Sequence, residues 1–128
     1  KIMLALIIML IHFLQRVQPP VLPYLQDKEK FGLKTEIIDN CEVQFYQPKK
    51  DYKKMFRKNE MSVGKLFVGF FEYFADFDWN NEVVQIRNSN KMFKLEKDWN
   101  QPFVAIEDPF ILSRNLSSGI RGSSGLKL

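Results

Sequence analysis

The chain has 128 residues, 45% apolar and 27% charged, with 12 Phe and a net charge of +4. That is enough apolar material for one core, and it excludes a disordered, collagenous or low-complexity chain. A single Cys41 and a single His12 exclude a disulfide framework, a Cys-based zinc cluster and a histidine-rich metal site. They predict a reducing compartment, the cytoplasm or the nucleus. The mild positive excess permits an anionic partner without requiring one.

Residues 2–14 (IMLALIIMLIHFL) are almost unbroken apolar sequence. A membrane span needs about 20 such residues, so this run predicts a buried core helix and no membrane partner. A signal peptide is the alternative, because Lys1 precedes a short apolar stretch. Against it, no initiator Met precedes Lys1 and no small-x-small cleavage site follows. The missing Met also reads as a chain that begins inside an element, an excerpt of a longer protein. The helix should stop before Pro19-Pro20, since the residue ahead of a proline is pushed out of helical space. Residues 21–25 read as extended, residues 26–40 as a surface connection without a period, and residues 41–46 as a short strand or a loop.

The clearest helix starts at Ser62, a good N-cap, with Val63, Leu66, Phe67, Phe70, Phe71 and Phe74 at three-and-four spacing through Ala75. Lys65 stands where a capping box would have its acid. Gly64 and Gly69 would let a neighbouring element pack closely. Residues 82–87 (EVVQIR) read as a half-buried strand with Val84 and Ile86 inward. Residues 94–100 are polar. Residues 103–106 (FVAI) read as a second strand, and Glu107-Asp108-Pro109-Phe110 as the start of a new element with proline in its first turn. From Ser117 the chain is rich in Ser and Gly and reads as flexible. The fold class is α+β, mainly α, with a few short strands.

Three groups of residues bear on chemistry. Lys49, Lys50, Lys53, Lys54, Arg57 and Lys58 can form one cationic face if helical, suited to phosphate contacts or simply to solvent. Phe70, Phe71, Tyr73, Phe74, Phe77 and Trp79 are dense enough for base stacking, but their helical spacing reads as core. The acidic pairs Asp76/Asp78 and Glu107/Asp108 suit metal or general-acid work, yet Asp76 and Asp78 fit equally as turn and cap residues. No glycine-rich phosphate loop with a Lys-Ser/Thr pair occurs, and no nucleophile elbow.

Three stretches, taken together, resemble a known family: residues 11–22 (IHFLQRVQPPVL), 62–87 (SVGKLFVGFFEYFADFDWNNEVVQIR) and 104–115 (VAIEDPFILSRN). Their order and spacing are similar to the helical central domain of noncanonical poly(A) polymerases and terminal RNA uridylyltransferases, including the PAP-associated segment. The resemblance implies that residues 1–121 are this domain, shortened at its N-terminus, and residues 122–128 a flexible tail. In the family, a separate nucleotidyltransferase domain carries a Gly-Ser motif and three aspartates holding Mg²⁺ or Mn²⁺. That domain lies outside these 128 residues, so the implied chain is not catalytic alone.

Its implied partners are RNA, UTP or another nucleoside triphosphate, and the catalytic domain of the same protein. By motif match, Asp108 corresponds to the family's acidic residue near the uracil edge and Phe110 to the aromatic beside it. Arg114 falls where uridylyltransferases carry a histidine that favours uracil, and Asn115 keeps the residue that follows. Two further departures are Met3-Leu4 where the family shows Ser-Tyr, and Lys65 where it shows glutamate. The implied function is a share in adding nucleotides to RNA 3′ ends, as base-binding wall and RNA contact. The alternative is a degenerate, non-catalytic RNA-binding or scaffolding module of the same fold.

Overall fold

A computed structural model describes residues 2–47, 57–100 and 104–117. Helix α1 spans Ile2–Arg16, α2 Lys28–Phe31, α3 Val63–Ala75 and α4 Lys94–Lys97. Strands β1 (Ile37–Ile38) and β2 (Cys41–Glu42) form one antiparallel hairpin, and β3 (Glu82–Val83) and β4 (Met92–Phe93) another. The result is the predominantly helical α+β fold that the sequence predicts.

Helix α1 packs on α3, and the two bury a shared core. Ala5, Ile8, Phe13, Phe74, Val84, Ile106 and Leu116 form it, with Phe70, Tyr73, Phe77 and Trp79 against them. Gly69 allows the close approach, since a Cβ there would sit 3.1 Å from the ring of Phe13. Ser62 caps α3 by accepting the Lys65 N–H at 3.1 Å, and Asp76 ends it. Trp79 then folds back and donates its indole N–H to the Phe74 carbonyl at 2.9 Å.

Four expectations need correction. Helix α1 is not buried on all sides: Met3 is 72% exposed and Ile7 46%, while Ala5, Ile8, His12, Phe13 and Gln15 are buried. An apolar circumference shows that a helix can be covered, not how many neighbours it has. Among the described residues, α1 has them on one face. On α3, Val63, Phe67 and Phe71 are likewise exposed, and Leu66, Phe70, Tyr73 and Phe74 turn inward.

In the stretch 82–87, Val83 and Gln85 are as buried as Val84, because helix α1 covers one side and the 104–107 segment the other. Residues 26–40 are also more ordered than a plain connection. Asp27 caps α2, Gly32 ends it in the left-handed region at φ 60°, and Asp39-Asn40 turn the first hairpin with φ 51° and 63°. Two positive φ values in a two-residue loop suit the twist of paired strands, and Asx residues tolerate them.

Candidate functional site

The polypeptide enters the site along a single strip of backbone. Val84 bridges Ile106 in parallel, and Glu107 bridges Asn115. Between those two ends, residues 108–114 leave the body as a turn. Asp108 shapes it: Oδ1 accepts the N–H groups of Phe110 at 2.9 Å and Ile111 at 3.0 Å. Its own N–H donates to the Arg114 carbonyl at 3.1 Å, and the Arg114 N–H donates to Ile111 at 2.9 Å. The predicted new element at Pro109 is therefore a closed turn and not a helix start. The carboxylate takes up the N–H groups that a helix would leave open, and the chain returns on itself.

The turn brings the sequence-predicted residues together unequally. Oδ2 of Asp108 faces Nη1 of Arg114 at 3.8 Å, the aspartate nearly buried and the arginine 42% exposed. The Phe110 ring, on the same turn, is half exposed. Asn115 points inward instead. Its Oδ1 accepts the N–H groups of Ile106 and Ser117 and the Ser117 hydroxyl, and its Nδ2 has no partner among the described residues. Asn115 closes the strip behind the turn. Of the basic block, Arg57 and Lys58 are exposed in irregular backbone. Lys49, Lys50, Lys53 and Lys54 lie outside the described residues, as do Phe103 and the tail from residue 118.

Behind the turn sits an ionic centre. Glu107 is fully buried and accepts from Arg87 Nε at 2.6 Å and Nη2 at 2.9 Å. That two-pronged hydrogen bonding holds the Arg87 guanidinium more firmly protonated than usual. Lys97 Nζ pairs with Oε2, the same oxygen that accepts from Arg87 Nη2, and donates to the Leu112 carbonyl at 2.6 Å. Two further groups hold the turn: Gln26 donates to the Pro109 carbonyl at 3.2 Å, and the Glu42 N–H to Phe110 at 2.9 Å. The Glu42 carboxyl itself is kept below the usual range, chiefly by its hydrogen bond from the Lys28 ammonium at 2.8 Å. Arg87 and Lys97 are invisible as a pair in the sequence. They lie 20 and 10 positions from Glu107 without a repeat that links them.

A second polar centre joins α1 to the strands. His12 Nδ1–H donates to the Gln85 carbonyl at 2.8 Å, and Nε2 accepts the Tyr73 hydroxyl at 2.8 Å. Burial, with Arg16 adding to it, pushes the imidazole pKa down to about 3. Burial also raises the Tyr73 phenol, so both groups stay neutral near pH 7. Gln15 and Arg16 extend the joint by donating to the carbonyls of Ile86 at 2.9 Å and Asn88 at 3.0 Å. A cavity of about 160 Å³ opens here, lined by His12, Arg16, Tyr73, Glu82 and Lys91, and it lies apart from the 108–114 turn. Among the described residues, no three His, Cys, Asp or Glu side chains converge as a metal ion requires. None of the described helices is long and apolar enough to cross a membrane.

Comparison with known proteins places this geometry. A family model described as Cid1 family poly A polymerase matches residues 62–114, from the α3 cap to Arg114. Human terminal uridylyltransferase 7 is 34% identical over 121 residues, which is 91% of this chain and 8% of that protein. Poly(A) RNA polymerase cid13 of Schizosaccharomyces pombe is 36% identical over 114 residues, 86% of this chain and 20% of that protein.

Among solved structures, the Cid1 poly(U) polymerase bound to MgATP superposes with a TM-score of 0.77 at 32% identity. It covers 95% of this chain, which spans 37% of that one. A cytoplasmic RNA terminal U-transferase gives a TM-score of 0.77 at 30% identity over 97% of this chain and 40% of the other. The chain thus spans well under half the length of these relatives. The fold, the spacing of its motifs and these similarities agree: it belongs to the noncanonical poly(A) polymerase and terminal uridylyltransferase family and carries the PAP-associated segment.

Proposed function

We propose that this chain is part of an RNA terminal nucleotidyltransferase, most like the uridylyltransferases, and supplies the wall of the nucleotide cleft that faces the base. The observation that carries this reading is the pairing of Asp108 with Arg114 on an exposed turn that also carries the half-exposed Phe110 ring. A carboxylate oxygen can accept the uracil ring N–H, and a guanidinium can donate to the adjacent carbonyl. Adenine would bring an amino donor against the same guanidinium, so the pair favours uracil. Phe110 offers an apolar edge to the ring. Lys49, Lys50, Lys53, Lys54, Arg57 and Lys58 would hold the RNA strand through its phosphates.

Solved Cid1 structures hold a UTP analogue and the short product ApU, which supports both substrates for this chain's family. Metal-assisted attack of the RNA 3′ hydroxyl is assigned to a catalytic domain of the same protein, since the described residues do not offer a ligand set for the ion. Domain 1–121 would then dock on that catalytic domain, with residues 122–128 as a tail and the cytoplasm as the site of action.

A tailing assay tests the reading. The natural polypeptide carrying this chain is given RNA with each nucleoside triphosphate, alongside Arg114→His. Uridine addition is expected, with Arg114→His changing the UTP-to-ATP preference about tenfold, the scale of one charged hydrogen bond. Absence of both tailing and UTP binding would favour the second reading, a non-catalytic RNA-binding module. Two observations support that one: Oδ1 of Asp108 is already taken by the turn, and exposed Met3-Leu4 stand where a stacking tyrosine is implied.

A further inference from the structure

We propose that Lys97 is a positioning residue for the 108–114 turn and, through it, for the choice of base. For its functional half this rests on the nucleotide-binding reading above. Arg87 alone already satisfies both oxygens of Glu107, at 2.6 and 2.9 Å. Neutralising the buried carboxylate therefore does not require a second cation. Lys97 does something Arg87 does not: its ammonium spans from the Glu107 carboxylate to the Leu112 carbonyl. Glu107 is the last residue before the turn, and Leu112 lies in its far limb, two positions before Arg114. One ammonium, with three donors, thus ties the stem of the loop to the limb that carries Arg114.

The arrangement around it is directional. Successive carbonyls of the turn are held from the body by Gln26 at Pro109, by the Glu42 N–H at Phe110 and by Lys97 at Leu112. With its carbonyls pinned inward, the turn leaves the Phe110 ring and the Arg114 guanidinium outward. Gln26 and Glu42 act on the near limb. Asp108 holds Ile111 and Arg114 from within the turn. From outside it, Lys97 is the side chain among the described residues that holds a carbonyl of the far limb, so it helps to set where the guanidinium stands relative to Asp108. Lys97 is itself placed by α4, at whose end it lies, with the Trp99 ring 5.3 Å from its ammonium.

The test compares Lys97→Met with Lys97→Arg in the natural polypeptide that carries this chain. Met keeps the stem length and leaves Glu107 paired with Arg87; Arg restores a cation able to reach both acceptors. Amide hydrogen exchange is the first readout. Lys97→Met should speed exchange at Ile111, Arg114 and Asp108 at least tenfold while the amides of α1 and α3 stay within twofold, and Lys97→Arg should reverse most of the change. Uniform acceleration across the chain, or none in the turn, overturns the proposal.

Nucleotide addition is the second readout. The KM for UTP should rise about tenfold with kcat within twofold, and the UTP-to-ATP ratio should fall. If the unsubstituted protein neither binds UTP nor tails RNA, the cleft reading fails and the base-choice half falls with it. The exchange pattern still decides whether Lys97 pins the turn.

Discussion

The two buried polar centres of this small fold are built in opposite ways. The imidazole of His12 is held by a neutral phenol and a backbone carbonyl, Arg16 adds a cation to the surrounding joint, and the network ties α1 to α3 and to the segment 85–88. Around Glu107 the partners are ions, and the network ties the bridged residues 106–107 to a surface turn. A neutral network is satisfied by geometry alone and holds elements in register. An ionic one in a dry site is strongly coupled, so removing one member exposes the charge of the others. The difference separates the part of the molecule that joins its helices and strands from the part that shapes the exposed 108–114 turn.

The largest expected break in that comparison is Glu107→Ala. It leaves Arg87 and Lys97 facing each other without a counter-charge, and loss of one member of a buried pair costs about 3–5 kcal/mol. Urea denaturation should show that loss. A cost below about 1 kcal/mol would mean that the ionic centre is solvated and its role in the turn slight.

Acid probes the other centre. The folded-state pKa of His12, about 3, lies below its ordinary 6.5, so the unfolded chain binds the proton more readily between these values. Stability from this group is complete above pH 6.5 and is lost as pH falls toward 3, by at most about 1.4 kcal/mol per pH unit. Arg16 and Tyr73 face the imidazole and do not titrate in that window, whereas Glu82 lines the same cavity. Comparing the native chain with His12→Gln therefore isolates the histidine. The variant should show a visibly shallower fall of the urea midpoint from pH 6.5 to 4, and equal slopes would remove His12 as the cause.

The smallest effect sharpens the α1–α3 joint. Gly64→Ala adds a Cβ into open space, whose nearest atom is the Ser62 hydroxyl at 4.0 Å. It should stabilise by up to about 1 kcal/mol through helix propensity. Gly69→Ala carries the same propensity gain but presses the Phe13 ring at 3.1 Å, so it should fall below Gly64→Ala in thermal midpoint. Equal midpoints would show that the ring yields freely and that the close approach of the helices is not under constraint.

Much of the scaffold was legible before any coordinates. Ser62 as cap, the helix end after Ala75 and the three-and-four apolar spacing between them follow from local rules that act within one or two turns of chain, whereas which of those apolar residues turn inward does not. The 108–114 turn was legible as a place, because Glu107-Asp108-Pro109-Phe110 follows an apolar strand signal, but not as a closed loop. Its closure depends on Asp108 reaching Phe110, Ile111 and the returning Arg114 carbonyl. Likewise, the sequence showed that α1 is apolar around its circumference but not that only one side meets a neighbour.

What the sequence determined by itself is therefore the start and stop of α3, the three-and-four apolar spacing along it, and the family motifs. The tertiary structure alone decided which charges meet. Glu107 finds Arg87 and Lys97, and His12 finds Tyr73 and the Gln85 carbonyl, across 10 to 73 positions of sequence. The physical reason is that buried polar groups take whatever donor or acceptor the packing brings within about 3 Å. No local periodicity records that distance.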